Sequence, residues 1–196
     1  DTAWLGKQIS WFVGYISCSV VLFNYCLYLV GRRESGFIAT FVHNMDGRLL
    51  FIRSQLIASL IMSILYVFFF ILVVLTGFQA SPDYQIVMII LKSIYINAFM
   101  MVSLTFMASF RVAFQTASTI YSVLITVCMV SGIVSLKYNE GIVYWINQVN
   151  PIAIYSTILQ SDQELSLMTI FFYSIMLIIS IISALTFKTE PVWSSQ

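Results

Sequence analysis

The stretch ILYVFFFILVVL, residues 64–75, decides the fold of this chain, because it is a continuous apolar run inside a longer one at residues 54–78. A helix needs about 20 apolar residues to cross the roughly 30 Å hydrocarbon layer of a bilayer. Strands of membrane β-barrels are about ten residues long and alternate apolar with polar side chains, unlike this run. The stretch therefore predicts a transmembrane α-helix.

Four more stretches are long and apolar enough to cross a bilayer, at residues 11–30, 84–110, 112–136 and 165–187. Charged residues make up 9% of the chain and its mean hydropathy is +0.95, whereas a soluble domain has about 25% charged residues. We therefore expect an all-α, polytopic transmembrane helix bundle with five spans, forming a single domain over residues 1–196.

Basic residues concentrate on one side of the predicted spans, and that side is usually cytoplasmic. Alternation of the spans puts six basic residues on the side of the loop at 31–53 and two on the other. The chain is then expected to start outside and end in the cytoplasm of a bacterial plasma membrane. One further span is expected before Asp1, which gives six spans in the parent protein. The six basic residues are Arg32, Arg33, Arg48, Arg53, Arg111 and Lys188, and the two are Lys7 and Lys137.

The segment at residues 35–46 carries apolar side chains at helical spacing, namely i, i+1, i+4, i+5 and i+8. Ser35 is a candidate cap for its start, and Asp46-Gly47 is a candidate stop. A short amphipathic helix is expected on the cytoplasmic side, either lying on the lipid headgroups or docking into a partner protein. The apolar positions are Phe37, Ile38, Phe41, Val42 and Met45.

The segment at residues 137–164 is too polar to span a membrane and too apolar for a free loop. Asn150-Pro151 interrupts it, because the residue before a proline avoids helical backbone angles. Two short, half-buried helices at about residues 139–160 are expected on the outer face. They would dip into the bilayer only where the bundle shields their backbone.

Motifs of catalysis are absent from the sequence. It contains no GxxxxGK[ST] phosphate loop, HExxH, CxxC or GxSxG motif, so neither ATP binding nor a metal centre is expected in this chain. Cys18, Cys26 and Cys128 lie in apolar runs without metal-ligand spacing. The net charge of +1 argues against nucleic acid as a partner.

The order of these elements, with RRESGF at residues 32–37, resembles the permease subunit of type-2 ABC transporters over residues 11–187. In that family a span is often followed by the pattern ERE-x-GT and a coupling helix. Here an Arg and a Ser replace two of the usual residues, and Phe37 stands where Thr is common. The proline often found within the coupling segment is absent, and His43-Asn44 lies in that region.

The resemblance implies a homo- or heterodimer of permease subunits, each docked on a separate cytoplasmic ATPase that binds ATP and Mg. It implies export of a hydrophobic or amphipathic substrate such as an antimicrobial peptide, toxin or drug, or in a close variant a glycan or teichoic-acid polymer. Trp145, Asn150 and Pro151 would form part of an external gate. The residues implied in ATPase coupling are Arg33, Glu34, Phe37, Phe41, Val42, His43 and Met45.

Two polar residues inside the third predicted span are candidates for the transport path, Lys92 and Asn97. An ionisable group within a span suggests function by default, but a lysine near a span end can also snorkel to the headgroups or pair within the bundle. Other classes that remain are a polytopic membrane enzyme and an ion-coupled carrier. Both usually need carboxylates or other catalytic groups at membrane depth, and the predicted spans lack carboxylates.

Overall fold

The described part of the chain folds into helices joined by short turns and contains no strand. In this computed structural model the described residues are 2–41, 44–79, 84–135, 140–160 and 167–187. Within these ranges, five helices are long and apolar enough to cross a membrane, which confirms the predicted all-α class and the number of spans. These spans are Gln8–Glu34, Met45–Gly77, Ile86–Ser109, Phe114–Val134 and Leu167–Leu185.

The first span is built from three consecutive helical segments that run on without a turn. These are α1, a seven-residue π-helical segment and α2. In chain order the elements are α1 (Thr2–Ser19), the π-helical segment (Val20–Cys26), α2 (Leu27–Glu34), α3 (Phe37–Phe41), α4 (Met45–Gly77), α5 (Tyr84–Ser109), α6 (Phe114–Ser135), α7 (Gly141–Val149), α8 (Pro151–Leu159) and α9 (Leu167–Leu185).

The helix predicted at residues 35–46 is shorter than expected, because only Phe37–Phe41 forms α3. Ser35 ends α2 instead of starting α3, and its backbone N–H donates to the carbonyls of Gly31 and Arg33. The next residue, Gly36, has a φ of 73°, a left-handed conformation that glycine adopts at little cost. This residue turns the chain out of α2, so α3 points in a new direction.

The second span begins earlier than predicted, at Met45 rather than at residue 54. Met45 and Asp46 therefore belong to the first turn of α4 and not to the preceding helix, and Asp46-Gly47 does not end a helix. The Asp46 carboxylate suits this position, since the N-terminus of a helix favours negative charge. With 33 residues, α4 is about 50 Å long, which exceeds the hydrocarbon layer. Val42 and His43 lie outside the described residues.

The first span forms the centre of the bundle. Of its most apolar window, 61% is buried, against 17% for the window of α9. It contacts α4, α5, α6 and α8, while α5 packs along α9. Close approach of α8 depends on Gly14, since a Cβ there would lie 3.1 Å from the Ile152 carbonyl oxygen. The bundle is thus assembled around the helix that enters α3.

A connection as short as the one between α5 and α6 commonly joins antiparallel helices that pack against each other. Beyond the connection, α6 instead packs against α2, α7 and α8, and α2 also contacts the foot of α5. The carboxyl end of α2 therefore stands beside the α5–α6 connection. This placement buries Arg33 of the RRESGF segment inside the bundle, while Ser35 and Phe37 of the same segment stay exposed.

Candidate functional site

The segment that joins the first two spans is the candidate site. It comprises the end of α2, α3 and the first turn of α4, and charged side chains stand on both sides of α3. Arg33 and Glu34 precede α3, and Arg48 follows it. We refer to these three residues as the charged bracket, and the contacts of each decide what the segment can do.

Arg33 is almost fully buried, with 1% of its surface exposed. Its Nη1 donates to the carbonyl oxygen of Ala108 at 3.0 Å, and its Nη2 donates to those of Phe110 and Val112 at 2.8 and 3.3 Å. The last carbonyls of a helix lack helical partners and carry the negative end of its dipole. Arg33, which was predicted to act in ATPase coupling, therefore caps the carboxyl end of α5 inside the chain.

Glu34 makes the complementary contact at the start of the next span. Its Oε2 accepts a hydrogen bond from the backbone N–H of Phe114, the first residue of α6. The N-terminus of a helix presents unpaired N–H groups and the positive end of its dipole. Two consecutive residues of α2 thus hold both sides of the α5–α6 connection, each with the charge that its helix end favours.

Arg48 carries the same kind of contact to the last span. Its Nη1 donates to the carbonyl oxygen of Phe187 at 2.9 Å, and the Phe187 ring lies 6.0 Å from the Cζ of Arg33. Phe187 lies two residues after the last residue of α9 and is 1% exposed. The charged bracket therefore joins the ends of α5, α6 and α9 to the short segment that contains α3.

The helix α3 turns one side to the bundle and leaves another accessible. Ile38 is fully buried, whereas Phe37 is 36% exposed and Met45, after α3, is 49% exposed. The Phe37 ring lies 6.4 Å from that of Phe51 and 4.9 Å from the Cζ of Arg32. Phe41 ends α3. Of the residues predicted in ATPase coupling, Phe37 and Met45 thus reach the surface beside the charged bracket.

The two short helices predicted at residues 139–160 are present as α7 and α8, and they break at Asn150-Pro151 as expected. The Asn150 Oδ1 accepts from the N–H of Ile152 at 2.9 Å, which caps α8. Its Nδ2 donates to the Cys128 carbonyl and the Ser131 hydroxyl of α6, at 2.8 and 2.9 Å. Asn150 therefore fastens this helix pair to α6.

The two helices differ in how deeply they sit. No residue of α7 is buried, and Trp145 is 56% exposed. In contrast, α8 buries most of its side chains, and the Tyr155 hydroxyl donates to the Ser93 carbonyl at 3.0 Å. Burial raises the pKa of the Tyr155 phenol above its ordinary value, so the hydroxyl keeps its proton for this bond. Of the predicted gate residues, Trp145 is at the surface and Asn150 is in the packing.

The two residues predicted for the path lie within α5. Asn97 is fully buried, and neither its Nδ2 nor its Oδ1 has a hydrogen-bond partner among the described residues. Lys92 is half-buried. Asn97 therefore faces the packed interior of the single chain and not an open channel.

Sequence reasoning did not connect polar positions of α6 into one stripe, although the members of this stripe recur at i, i+4, i+7 and i+11, one face of a helix. All of them are exposed. The three hydroxyls each donate to the carbonyl four residues earlier, at 2.8–3.1 Å. Their oxygens remain able to accept from a ligand or another helix. We define the α6 stripe as Gln115, Thr119, Ser122 and Thr126.

The chain is similar to a known protein over its whole length. It is 99% identical over 196 residues to Protein McbE of Escherichia coli, which corresponds to 100% of this chain and 81% of that protein. The chain belongs to the McbE family. No protein-family model matches it, and no solved structure matches it.

The name McbE states no activity. What this member of the McbE family can do chemically must therefore be inferred from its own side chains. Within the described ranges, His, Cys, Asp and Glu form no group of three that could hold a metal ion. Cys18, Cys26 and Cys128 are free thiols. The charged bracket and the α6 stripe are therefore the features from which we argue function.

Proposed function

We propose that this chain is the membrane-spanning permease subunit of an ATP-driven ABC exporter of the plasma membrane. In this proposal it docks on a separate cytoplasmic ATPase, which binds ATP and Mg, and pairs with a second permease subunit. The single observation that carries the proposal is the charged bracket. It connects one short surface helix, α3, to the ends of three other spans.

A permease without its own nucleotide site needs a rigid part that receives movement from the ATPase. Guanidinium and carboxylate groups make shorter and stronger hydrogen bonds than neutral pairs, and the bracket places such bonds directly beside α3. A displacement of α3 would pull on the carboxyl end of α5 through Arg33 and on the amino end of α6 through Glu34. Through Arg48 it would also reach the end of α9.

The docking surface in this proposal is the exposed side of the same segment. Phe37 and Met45 present apolar surface beside α3, and apolar anchors that fill a groove in the partner are typical centres of protein interfaces. The basic residues that favour a cytoplasmic placement of this loop lie in the same segment. An ATPase in the cytoplasm would therefore meet α3 first.

The α6 stripe supports a transport path between two subunits. A hydroxyl or amide that faces lipid gains little there, whereas polar side chains between helices serve as contacts or line a path. The stripe is exposed in the single chain, and its oxygens can accept hydrogen bonds from an amphipathic substrate. We therefore expect it to face the second subunit and the substrate rather than acyl chains.

Co-purification with the ATPase tests the proposal. The chain is co-expressed with each candidate Walker-type ATPase from the same genome, and both are reconstituted together in lipid nanodiscs. We expect the two to co-purify and ATP turnover to rise over that of the ATPase alone. Failure of both, with each protein folded, would contradict the proposal.

A matched pair of variants assigns the interaction to the α3 segment. Met45 and Met168 are both exposed methionines in the first turn of a span, at 49% and 43% exposure, but they stand at opposite ends of the bundle. We expect Met45→Glu to abolish co-purification and Met168→Glu to preserve it. Equal behaviour of the two variants would count against docking at this segment.

A further inference from the structure

A groove between the first span and α4 has the features of a ligand site that the coupling proposal does not use. It is an open groove with a volume of about 550 Å³, within the range of about 300–1,000 Å³ for small-molecule sites. One wall comes from α1 and the π-helical segment, and the other comes from Met62 and Tyr66 of α4. Tyr66 is 47% exposed, so the groove opens sideways toward the surroundings of the bundle.

The π-helical segment shapes the first wall. At its end, the backbone N–H of Leu27 donates to the carbonyl of Leu22, which is five residues earlier instead of the four of an α-helix. Such segments are rare and recur at functional sites. Groove residues repeat every four positions, at Tyr15, Ser19 and Phe23. On an α-helix of about 3.6 residues per turn, side chains spaced by four positions rotate gradually around the helix axis. The wider π turn offsets this rotation, so these three side chains stay on the face that lines the groove.

One side chain of α4 fixes this distorted segment in place. The Gln55 Nε2 donates to the backbone carbonyl of Asn24 at 3.3 Å and to the Ser59 hydroxyl at 3.2 Å. The bond ties the π-helical segment to α4 beside the groove. The groove is therefore held by a hydrogen bond between its two walls and does not depend on apolar contact alone.

Polar groups line the groove at a depth where lipid gives them no partner. Asn24 is half-buried and lies ten residues before the end of the span at Glu34, about 15 Å along the helix. An amide at such depth is costly when it faces acyl chains. Tyr15 and Tyr66 add phenol groups, and the Tyr15 ring stacks on Trp11 at 6.5 Å.

We infer that this groove binds a neutral amphipathic molecule that carries an aromatic ring and an amide or similar hydrogen-bonding group, and that enters from the bilayer. The lining residues include no Asp, Glu, Lys, Arg or His, so a charged ligand finds no counter-ion. The ring packs against Tyr15, Phe23 and Tyr66, and the flexible thioether of Met62 adapts to its shape. Asn24 pairs with the polar group. The inference does not depend on the proposed ATPase.

Photolabelling of the chain in nanodiscs, without any ATPase, tests the site. The probe is 4-benzoyl-N-hexylbenzamide, a neutral photoreactive aromatic amide, and peptide mass spectrometry locates the adducts. We expect saturable labelling confined to residues 15–24 and 62–66. Labelling that rises linearly with probe concentration, or that covers the exposed faces of α5 and α9 equally, would show ordinary partitioning into lipid and overturn the inference.

Two variants and a matched control show whether the polar lining recognises the probe. Asn24→Leu should raise the probe concentration for half-maximal labelling about tenfold, which is equivalent to the loss of about one hydrogen bond. Tyr66→Leu, on the opposite wall, should also reduce labelling. It provides a second test of the site if Asn24→Leu does not fold. Asn147→Leu on α7 makes the same exchange away from the groove and should leave labelling unchanged.

If all three folded variants bind the probe alike, the site is refuted. If the groove peptides stay unlabelled because another segment or copy covers them, the inference also fails. In either case co-purification of the ATPase with the unaltered chain is unaffected, so the proposed function is judged separately.

Discussion

Replacement of Arg33 by methionine removes the guanidinium that caps α5 but keeps a flexible, unbranched stem. Three carbonyls lose their partner, and a hydrogen bond to a charged group contributes about 1.5–3 kcal/mol. Part of that loss is offset, because folding of the variant no longer carries the desolvation cost of burying the guanidinium charge. We expect a net decrease of about 3 kcal/mol in the free energy of unfolding. For a chain of 196 residues, this corresponds to a Tm about 6–12 °C lower.

The free cysteines provide the assay for this prediction. Cys18 and Cys26 are buried, so a fluorogenic maleimide in detergent solution reports unfolding as the thiols become accessible. Arg53→Met is the matched control, since Arg53 is exposed and a surface change of this kind alters stability by about 0.5 kcal/mol or less. Arg33→Lys should fall between the two, because an ammonium lacks the planar fork of donors. A Tm for Arg33→Met within about 2 °C of the control would refute the capping role.

Three further predictions use the same melting assay. Glu34→Ala should cost about 1 kcal/mol because the N–H of Phe114 loses its acceptor, whereas Glu34→Gln should cost less than half of that because an amide oxygen still accepts. Gly14→Ala should cost about 1–3 kcal/mol, since the added Cβ would lie 3.1 Å from a backbone carbonyl of α8. Its matched control, Gly77→Ala, should be neutral or stabilising, because a Cβ there meets nothing within 4 Å. Asn150→Ala should cost about 2 kcal/mol through loss of the α8 cap and of both bonds to α6.

Each of these predictions has a result that contradicts it. A Glu34→Ala variant that melts like the unaltered chain would mean that the contact of Glu34 with α6 contributes no stability. Equal melting of the two glycine variants would show that α8 does not need the close approach at Gly14. An Asn150→Ala variant that melts like the unaltered chain would remove the attachment of α7 and α8 to α6.

Local features of the sequence were enough for the spans and for the break between α7 and α8. Span recognition depends only on the length and hydropathy of a segment. The break depends on the backbone restriction that Pro151 imposes on Asn150. Each of these causes acts within one segment, so no knowledge of its neighbours was needed.

The start of α4 was misplaced for the opposite reason. Asp46 and Gly47 have the composition of a turn, yet they lie in the first turn of a long helix. The contact that holds this end of the helix comes from elsewhere, because Arg48 donates to the carbonyl of Phe187, 139 residues along the chain. A window of local sequence does not contain that partner.

Hydropathy by itself was enough to predict five helices able to cross a membrane, and the RRESGF segment pointed to the region of α3. Only the tertiary structure decided what Arg33 and Glu34 do there. Their partners lie 75–80 residues away, at the ends of α5 and α6. From the sequence alone, a charged residue next to a loop is expected at the surface. Only the packing of the whole bundle places the ends of α5 and α6, which favour these charges, beside Arg33 and Glu34.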